Sequence, residues 1–252
     1  MTDTIKYSSD GRIGRLLLNN PGRHNSLGEE QLSAMQQHLR MLTRTSGPRV
    51  LVITGAGDRT FCSGASLQEM NSGKISGELF QDTTDLIAAL PIPTIAALNG
   101  NVFGGGVELA LSCDFRIGLE GTRMRVPAAA IGLCYPTSGI ERFVQRLGVS
   151  AAKRLLMAAE EISGRDMVDI GFLDYLSDRE GFQAAVENIA NNLSDLAPLA
   201  VCAMKEIIQG ASAGALDPER VRVLAQRCLE SEDLQEGFAA QREKRKPDFS
   251  GR

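Results

Sequence analysis

Histidine is scarce in this chain of 252 residues and tryptophan is absent; the only histidines are His24 and His38. Two histidines are too few for a histidine-rich metal site. The five cysteines are scattered and never spaced as CxxC, so the sequence predicts neither a disulfide framework nor a zinc site. The motifs HExxH, GxSxG and GxxxxGK[ST] are also missing, which removes three common catalytic and nucleotide-binding signatures.

Long apolar runs and a surplus of positive charge are missing as well. No run approaches the ~20 apolar residues that a membrane-spanning helix needs. Lys and Arg number 27 against 31 Asp and Glu, so a formal charge of -4 gives no overall attraction to nucleic acid or to anionic membranes. The segment MTDTIKYSSDGRIG has neither the apolar core of a signal peptide nor an arginine-rich amphipathic helix. We expect a cytoplasmic protein with no nucleic-acid or membrane partner.

What the chain does have is a pattern of strands that alternate with helices. With 43% hydrophobic residues it can bury a core of its own. Strands are predicted at 12–19, 49–55, 93–100 and 114–121, and helices between them at 26–44 and 77–91. This alternation predicts an α/β domain. Beyond residue 145 only helices are predicted, at 149–163, 180–197, 199–210 and 218–245.

The segment FGGGVELAL, residues 103–111, places three glycines before a glutamate in an apolar run. Glycine has no Cβ, so a ligand atom can approach the backbone N–H groups beside it. At the start of a helix these groups are unpaired and lie at the positive end of the helix dipole. Glu108 follows Gly105 by three positions and would share its helical face. The pattern predicts an oxyanion site beside a proton-transferring carboxylate, or else packing glycines with a carboxylate that only favours the dipole.

A second segment, TFCSGASLQEM at residues 60–70, again places small residues where a helix is predicted to start. Two such starts could each offer one N–H to the same oxyanion. The alternative is an ordinary glycine-containing loop. A dinucleotide-binding motif in the preceding GAGDRT is excluded, because the motif needs glycine where Thr60 stands.

Four segments, in order, resemble the crotonase, or enoyl-CoA hydratase/isomerase, superfamily over essentially the whole chain. They are RHNSL (23–27), TFCSGASLQEM (60–70), ALNGNVFGGGVELALSCDFRI (97–117) and SEDLQEGFAAQREKRKPDFSGR (231–252). The resemblance implies an α/β fold: a crotonase-like spiral of ββα units with the acyl-CoA site over residues 1–195. It also implies a C-terminal helical trimerisation region over residues 196–252, and hence a homotrimer or a homohexamer.

The resemblance also implies an enzyme whose substrate is an acyl-CoA thioester. The thioester oxygen would lie between the N–H groups of Ala65 and Gly105, and Glu108 would transfer a proton. The other substrate contacts that it implies are Arg23, Ser66, Leu67, Gln68 and Gly104. Arg23 is the candidate for a CoA phosphate, because its planar fork suits phosphate oxygens. Coenzyme A is part of the substrate, so no separate cofactor and no metal is expected.

The chain departs from the family pattern at a residue that bears on the reaction. Hydratases of this family use a second glutamate after a proline, and the corresponding PAAAIG segment has Ala128 there. The aspartate that usually follows SGA is Ser66. Glu108 is therefore the remaining proton-transfer group. Hydration and isomerisation both stay open.

Tyr135, in GLCYPTSG, suggests an alternative reaction. The segment resembles that of methylmalonyl-CoA decarboxylase, in which an aromatic hydroxyl accompanies the loss of the second glutamate. Loss of CO2 from an α-carboxyacyl thioester needs an oxyanion hole and a donor for the carboxylate, but no strong base. Against it, the histidine of that enzyme's oxyanion segment is Ala65 here, and the following PTSG predicts a turn that could expose the hydroxyl. A non-catalytic acyl-CoA-binding homologue is a third possibility.

Overall fold

The computed structural model describes residues 3–42 and 47–252, which form two β-sheets with helices packed around them. The strands are β1 (Ile5–Ser9), β2 (Ile13–Leu18), β3 (Val50–Gly55), β4 (Thr60–Cys62), β5 (Thr94–Leu98), β6 (Asn101–Phe103), β7 (Phe115–Leu119), β8 (Arg123–Arg125), β9 (Ile162–Ser163) and β10 (Tyr175–Ser177).

The helices are α1 (Glu29–Leu42), α2 (Leu67–Asn71), α3 (Gly77–Ala88), α4 (Gly105–Ser112), α5 (Thr137–Leu156), α6 (Gly164–Asp169), α7 (Phe182–Asp195), α8 (Pro198–Ser212), α9 (Pro218–Leu229) and α10 (Glu232–Glu243). Two short 3-10 helices lie at Pro21–Arg23 and Ala129–Ile131. Every helix in the described part of the chain is too short or too polar to cross a bilayer.

The sheets are built from a repeated pair of strands. The larger sheet has the order β1-β2-β3-β5-β7-β10, and only its β1-β2 pair is antiparallel. The smaller sheet has the order β4-β6-β8-β9. The successive pairs β3-β4, β5-β6 and β7-β8 each give their first strand to the larger sheet and their second to the smaller one, and a helix follows each pair. These are the ββα units that the resemblance implies.

Burial explains why these segments form strands. The inner strand β5 is buried along its whole length, as expected for a parallel strand covered on both faces. One face of the larger sheet joins helices α1, α3 and α4 in the main core. The other face, with Val52, Ile95 and Ile117, packs against Val186 and Ala190 of α7. The predicted strands at 12–19, 49–55, 93–100 and 114–121 are confirmed to within about two residues at each end.

Helix α5 differs from the sequence-based prediction. The predicted helix spanned 149–163, whereas α5 begins at Thr137, bends at Gly148 and ends at Leu156. Gly148 has a φ of 77°, which side-chain-bearing residues rarely adopt, so the helical pattern is interrupted there. The predicted turn over PTSG is also wrong, because Pro136 directly precedes the first turn of α5. Proline is tolerated there since the first helical turn does not need its N–H.

The C-terminal prediction needs a second correction. Residues 218–245 were predicted as one helix, but α9 ends at Leu229 and α10 starts at Glu232. The side chain of Ser231 accepts a hydrogen bond from the Leu234 N–H at 3.2 Å and caps the new helix. The predicted helices at 180–197 and 199–210 are confirmed as α7 and α8. In the predicted helix at 26–44, α1 begins at Glu29 and residues 43 and 44 lie outside the described residues.

A buried ion pair ties the C-terminal helices to the larger sheet. Lys205 of α8 donates to Asp114 Oδ2 at 2.7 Å and to the Ile92 carbonyl at 2.8 Å, and Asp114 also accepts from Thr94. Lys205 is 9% exposed. The division into a 1–195 core and a 196–252 oligomerisation region stays a prediction.

Replacing Lys205 with Met should destabilise the protein strongly, because Asp114 would keep a buried negative charge without its cation. We expect a loss of about 3 kcal/mol in the free energy of unfolding, measured by urea denaturation. Lys246→Met is the control, since Lys246 forms an exposed pair with Asp195 and should cost less than about 1 kcal/mol. Equal losses in the two variants would show that the Lys205 pair does not anchor α8.

Candidate active site

The start of α4 presents unpaired amides beside a buried carboxylate. Gly104 has a φ of 51° and precedes the helix, which begins at Gly105 as predicted. Among the described residues, no acceptor pairs with the Gly105 N–H. Glu108 lies in the first turn of α4 and is 3% exposed. The helix dipole and the free amide together favour a negative atom at this end.

The loop after β4 packs directly against this helix start. Strands β4 and β6 are parallel neighbours, so the segments that follow them leave the same edge of the smaller sheet. Gly64 has a φ of 85°, and a Cβ added there would lie 2.4 Å from the Gly105 nitrogen. Only glycine permits such an approach. The two small-residue helix starts therefore converge.

The position of Ala65 is set by a single parallel β-bridge to Leu27. The Leu27 N–H donates to the Gly64 carbonyl, and the Ser66 N–H donates to the Leu27 carbonyl, both at 2.9 Å. This pairing turns the Ala65 amide away from Leu27, and no described residue accepts a hydrogen bond from it. Ala65 and Gly105 therefore each have an unpaired N–H, and the two backbone segments that contain them are neighbours.

Both residues line a cavity of about 280 Å³. Its wall is largely apolar, and Glu108 is the charged residue among the described ones that line it. The remaining lining residues are Ser63, Leu67, Met70, Ile75, Ser76, Gly77, Phe80, Gln81, Phe103, Gly104, Pro127, Ala128, Ile131, Leu133, Cys134, Tyr135 and Pro136. The predicted oxyanion donors Ala65 and Gly105, together with Glu108, Ala128 and Tyr135, therefore share one cavity.

Glu108 is held by two neighbouring helices. Its Oε1 accepts hydrogen bonds from Thr84 Oγ1 of α3 and from Arg142 Nη1 of α5, each at 3.1 Å. The other end of the Arg142 guanidinium donates to Asp85 Oδ1 at 2.5 Å. Burial raises the pKa of Glu108 above its ordinary value, while the charge of Arg142 and the Thr84 hydroxyl oppose that rise. The carboxyl is therefore shifted toward the neutral range that suits a proton-transfer group.

Tyr135 faces the cavity rather than solvent, which corrects the turn-based expectation. Its ring meets Phe143 edge to face, with centroids 5.8 Å apart at 84°. A Cβ added at Gly139 would lie 3.0 Å from Tyr135 Cδ1 and 3.2 Å from Glu108 Oε2, so this glycine lets α5 close over both. Burial, with smaller contributions from Glu108 and Cys62, raises the pKa of Tyr135. Its hydroxyl keeps its proton at neutral pH and can donate.

The other predicted substrate contacts divide into two groups. Leu67 and Gly104 line the cavity. Ser66 instead caps α2 by accepting from the Glu69 N–H at 3.4 Å. Arg23 and Gln68 are exposed and do not line the cavity, so their contact with CoA stays a prediction.

The segment before α3 and the first turns of that helix form one wall of the cavity, through Ile75, Ser76, Gly77, Phe80 and Gln81. The Phe80 ring covers Gly105, since a Cβ added at Gly105 would lie 2.5 Å from Phe80 Cζ. A larger residue at position 105 would therefore displace this ring. This segment and α3 therefore help to set the shape of the cavity beside Gly105.

Sequence reasoning missed Thr84, Asp85 and Arg142. Arg142 lies in the part of α5 that was not predicted to be helical, so no periodicity related it to Glu108. One signal was available: a carboxylate in an apolar run needs a buried partner. The sequence alone does not say which of its 27 basic residues that partner is.

Comparisons with known proteins identify the family. A family model described as enoyl-CoA hydratase/isomerase matches residues 9–252. The chain belongs to the enoyl-CoA hydratase/isomerase family. The mouse mitochondrial enoyl-CoA hydratase domain-containing protein 2 is 33% identical over 253 residues, which cover 95% of this chain and 85% of that one. The short-chain-enoyl-CoA hydratase of Clostridium acetobutylicum is 28% identical over 255 residues, covering 97% and 96%.

A solved structure of this family has the same fold. The crystal structure of enoyl-CoA hydratase from Bacillus anthracis superposes with a TM-score of 0.90 at 28% identity, covering 99% of this chain and 100% of that one. The family resemblance and the crotonase-like α/β fold predicted from the sequence are therefore confirmed. The roles of individual residues are a separate question.

The glycine contact in this enoyl-CoA hydratase/isomerase family member can be tested by stability. Gly64→Ala should cost clearly more than the roughly 1 to 2 kcal/mol of an unfavourable positive φ, because the new Cβ would also clash with the Gly105 backbone. Gly57→Ala is the matched control, since Gly57 has a φ of 80° but its nearest neighbour would be at 3.5 Å. Equal losses on urea denaturation would mean that the two segments are not in forced contact.

Proposed function

We propose that this protein is an acyl-CoA enzyme that stabilises a thioester enolate with the amides of Ala65 and Gly105. In this proposal Glu108 is the single proton-transfer group. The observation that carries it is the convergence of two unpaired amides on one cavity that also contains a buried glutamate. The relatives described as hydratases support the same class of reaction.

The amides would act on the charge that develops on the thioester oxygen. Each donor in such an oxyanion hole stabilises the transition state by about 3 kcal/mol. The close approach of the two backbone segments, which Gly64 permits, would hold both donors in position before the substrate arrives. No rearrangement is then needed as the enolate forms.

Glu108 would both accept and return a proton, because Ala128 leaves that side of the cavity without a second carboxylate. In hydration, Glu108 takes a proton from a water molecule as the water oxygen bonds to Cβ of the substrate. The electron pair of the Cα–Cβ double bond then moves through Cα to the thioester oxygen. The protonated Glu108 then gives the proton to Cα as the enolate collapses. In isomerisation, the same carboxylate moves a proton between two substrate carbons. A pKa raised by burial suits both directions of transfer.

Decarboxylation of an α-carboxyacyl-CoA is the second candidate, and Tyr135 is the observation that favours it. The bond to CO2 would break, its electron pair would enter the enolate, and Cα would then take a proton from a solvent water molecule. A protonated Tyr135 hydroxyl in the cavity could hold the departing carboxylate. Against it, the ionised form of Glu108 would repel that carboxylate within the same cavity.

A purely binding role is less well supported. Keeping Glu108 buried costs stability that simple acyl-CoA binding does not require. The outer part of CoA would contact Arg23, Ser66 and Gln68 beyond the cavity. We also propose a homotrimer or homohexamer, because apolar side chains are exposed on the C-terminal helices and the loop between α8 and α9, at Met204, Ile208, Leu216, Leu229 and Phe238.

Glu108→Gln should remove turnover and leave binding. We expect kcat to fall by roughly 10² to 10⁴, because an amide cannot relay the proton, while the Kd for an acyl-CoA stays within a few-fold. The assay incubates the protein with enoyl-, hydroxyacyl- and α-carboxyacyl-CoA esters and identifies products by mass spectrometry. Exchange of the substrate α-proton in deuterated water gives an independent readout of enolate formation.

The matched control is Glu30→Gln, because Glu30 is exposed on α1 and lies outside the cavity. This variant should keep the activity of the wild type. A wild-type kcat in Glu108→Gln would assign Glu108 a structural role and end the proposal.

Tyr135→Phe separates the two candidate reactions. It removes the hydroxyl and keeps the edge contact with Phe143, so we expect crotonyl-CoA hydration to be nearly unchanged. CO2 release from methylmalonyl-CoA is measured in parallel. Release by the wild type that disappears in Tyr135→Phe would make decarboxylation the correct assignment.

A further inference from the structure

Glu108 has a charged partner that the mechanism above does not use. We infer that Arg142 is a positioning residue, which holds Glu108 in its ionised form and directs Oε2 to the substrate. The inference rests on the proposed function, because it assigns a role to the residue that orients the proposed proton-transfer group.

Arg142 is the dependable donor to Glu108 Oε1. The Thr84 hydroxyl also reaches that oxygen, but it lies 2.9 Å from the Gln81 carbonyl as well, and it has one proton for two acceptors. The Arg142 guanidinium has five N–H groups and a permanent charge, so it meets no such conflict. Its Nη1 lies 3.1 Å from Glu108 Oε1.

Asp85 holds the other end of the guanidinium. Arg142 Nη2 donates to Asp85 Oδ1, while the Asp85 side chain is 46% exposed at the edge of the cluster. The Arg142 guanidinium therefore bridges the Asp85 carboxylate, which lies near solvent, and the Glu108 carboxylate, which is buried. These two contacts hold both ends of the guanidinium beside Glu108.

The same helix leaves the second carboxylate oxygen free. Gly139 and Arg142 are three residues apart in α5 and lie on one face of it. Arg142 engages Oε1, whereas Gly139 leaves room beside Oε2, to which no described residue donates a hydrogen bond. Oε2 is therefore the oxygen that can exchange a proton with a substrate in the cavity.

The surrounding charges explain why the arginine is needed. The groups that face Glu108 are Arg142 from α5, Thr84 and Asp85 from α3, and the protonated Tyr135, which lines the cavity. Asp85 and burial both disfavour the ionised form of Glu108, and Arg142 is the cation that opposes them. Without Arg142, the pKa of Glu108 would be higher, so the carboxylate would become protonated at a higher pH.

The test uses Arg142→Gln and two readouts. Glu108 is titrated by carbon-13 NMR of its side-chain carboxyl, assigned with Glu108→Gln, and kcat and KM are measured from pH 5 to 9. In Arg142→Gln we expect Glu108 to titrate at higher pH and the acidic limb of the kcat profile to move with it. At pH 7, kcat should fall about tenfold or more, since one pKa unit corresponds to a tenfold change, and it should recover only in part as the pH rises, because the lost positioning of Oε2 does not depend on pH. KM should stay within a few-fold.

Arg146→Gln is the matched control. Arg146 is exposed on the same helix, and its substitution removes the same charge. It should leave the Glu108 titration and the kcat profile unchanged. A Glu108 titration in Arg142→Gln that coincides with the wild type, or a fall in kcat that does not vary with pH, would overturn the inference.

Arg142→Lys keeps the test decisive if Arg142→Gln does not fold. Lysine preserves the charge but cannot bridge Glu108 and Asp85 with a planar fork. We expect Glu108 to titrate close to the wild-type pH while kcat falls, and an unchanged kcat would overturn the positioning role. The NMR titration does not depend on turnover, so it still tests Arg142 if no acyl-CoA ester is converted and the proposed function itself fails.

Discussion

The close approach of two backbone segments, at Gly64 and at the start of α4, is the constraint on which the site depends. Parallel pairing of β4 with β6 brings both segments to one edge of the smaller sheet. The missing Cβ of Gly64 then lets the loop reach the Gly105 nitrogen, and the pairing of Ala65 with Leu27 turns its amide away from the strand. Two main-chain donors are therefore left unpaired on neighbouring segments. Main-chain donors are held by the backbone, whereas side-chain donors at the same place would have rotatable bonds to fix.

A buried carboxylate beside these donors is costly, and the surrounding helices offset that cost. Glu108 is bonded from α3 by Thr84 and from α5 by Arg142, so one helix supplies a hydroxyl donor and the other supplies the opposing charge. Stability alone would not favour this arrangement, since an apolar residue of similar volume would avoid burying two charges. The presence of this buried charged cluster is the physical argument that supports the proposal of a catalytic site.

Much of the fold and part of the site could be predicted because their signals are local. Strands with apolar runs, helices with regular spacing and glycine-rich helix starts all depend on residues that are neighbours in the chain. The start of α5 was missed because PTSG has the composition of a turn, and a preceding proline fits a helix start equally well. The break at Ser231 was missed because a single capping side chain interrupts an otherwise continuous helical pattern.

The sequence by itself determined the family, the alternating α/β order, the two glycine-rich helix starts and the glutamate that follows the second of them. Tertiary structure alone decided that Tyr135 faces the cavity and that Arg142, 34 residues from Glu108, is its ionic partner. The reason is physical: propensity and periodicity act between near neighbours in the chain. The partner of a buried charge instead depends on how the helices pack, because packing determines which side chain comes within hydrogen-bond distance of it.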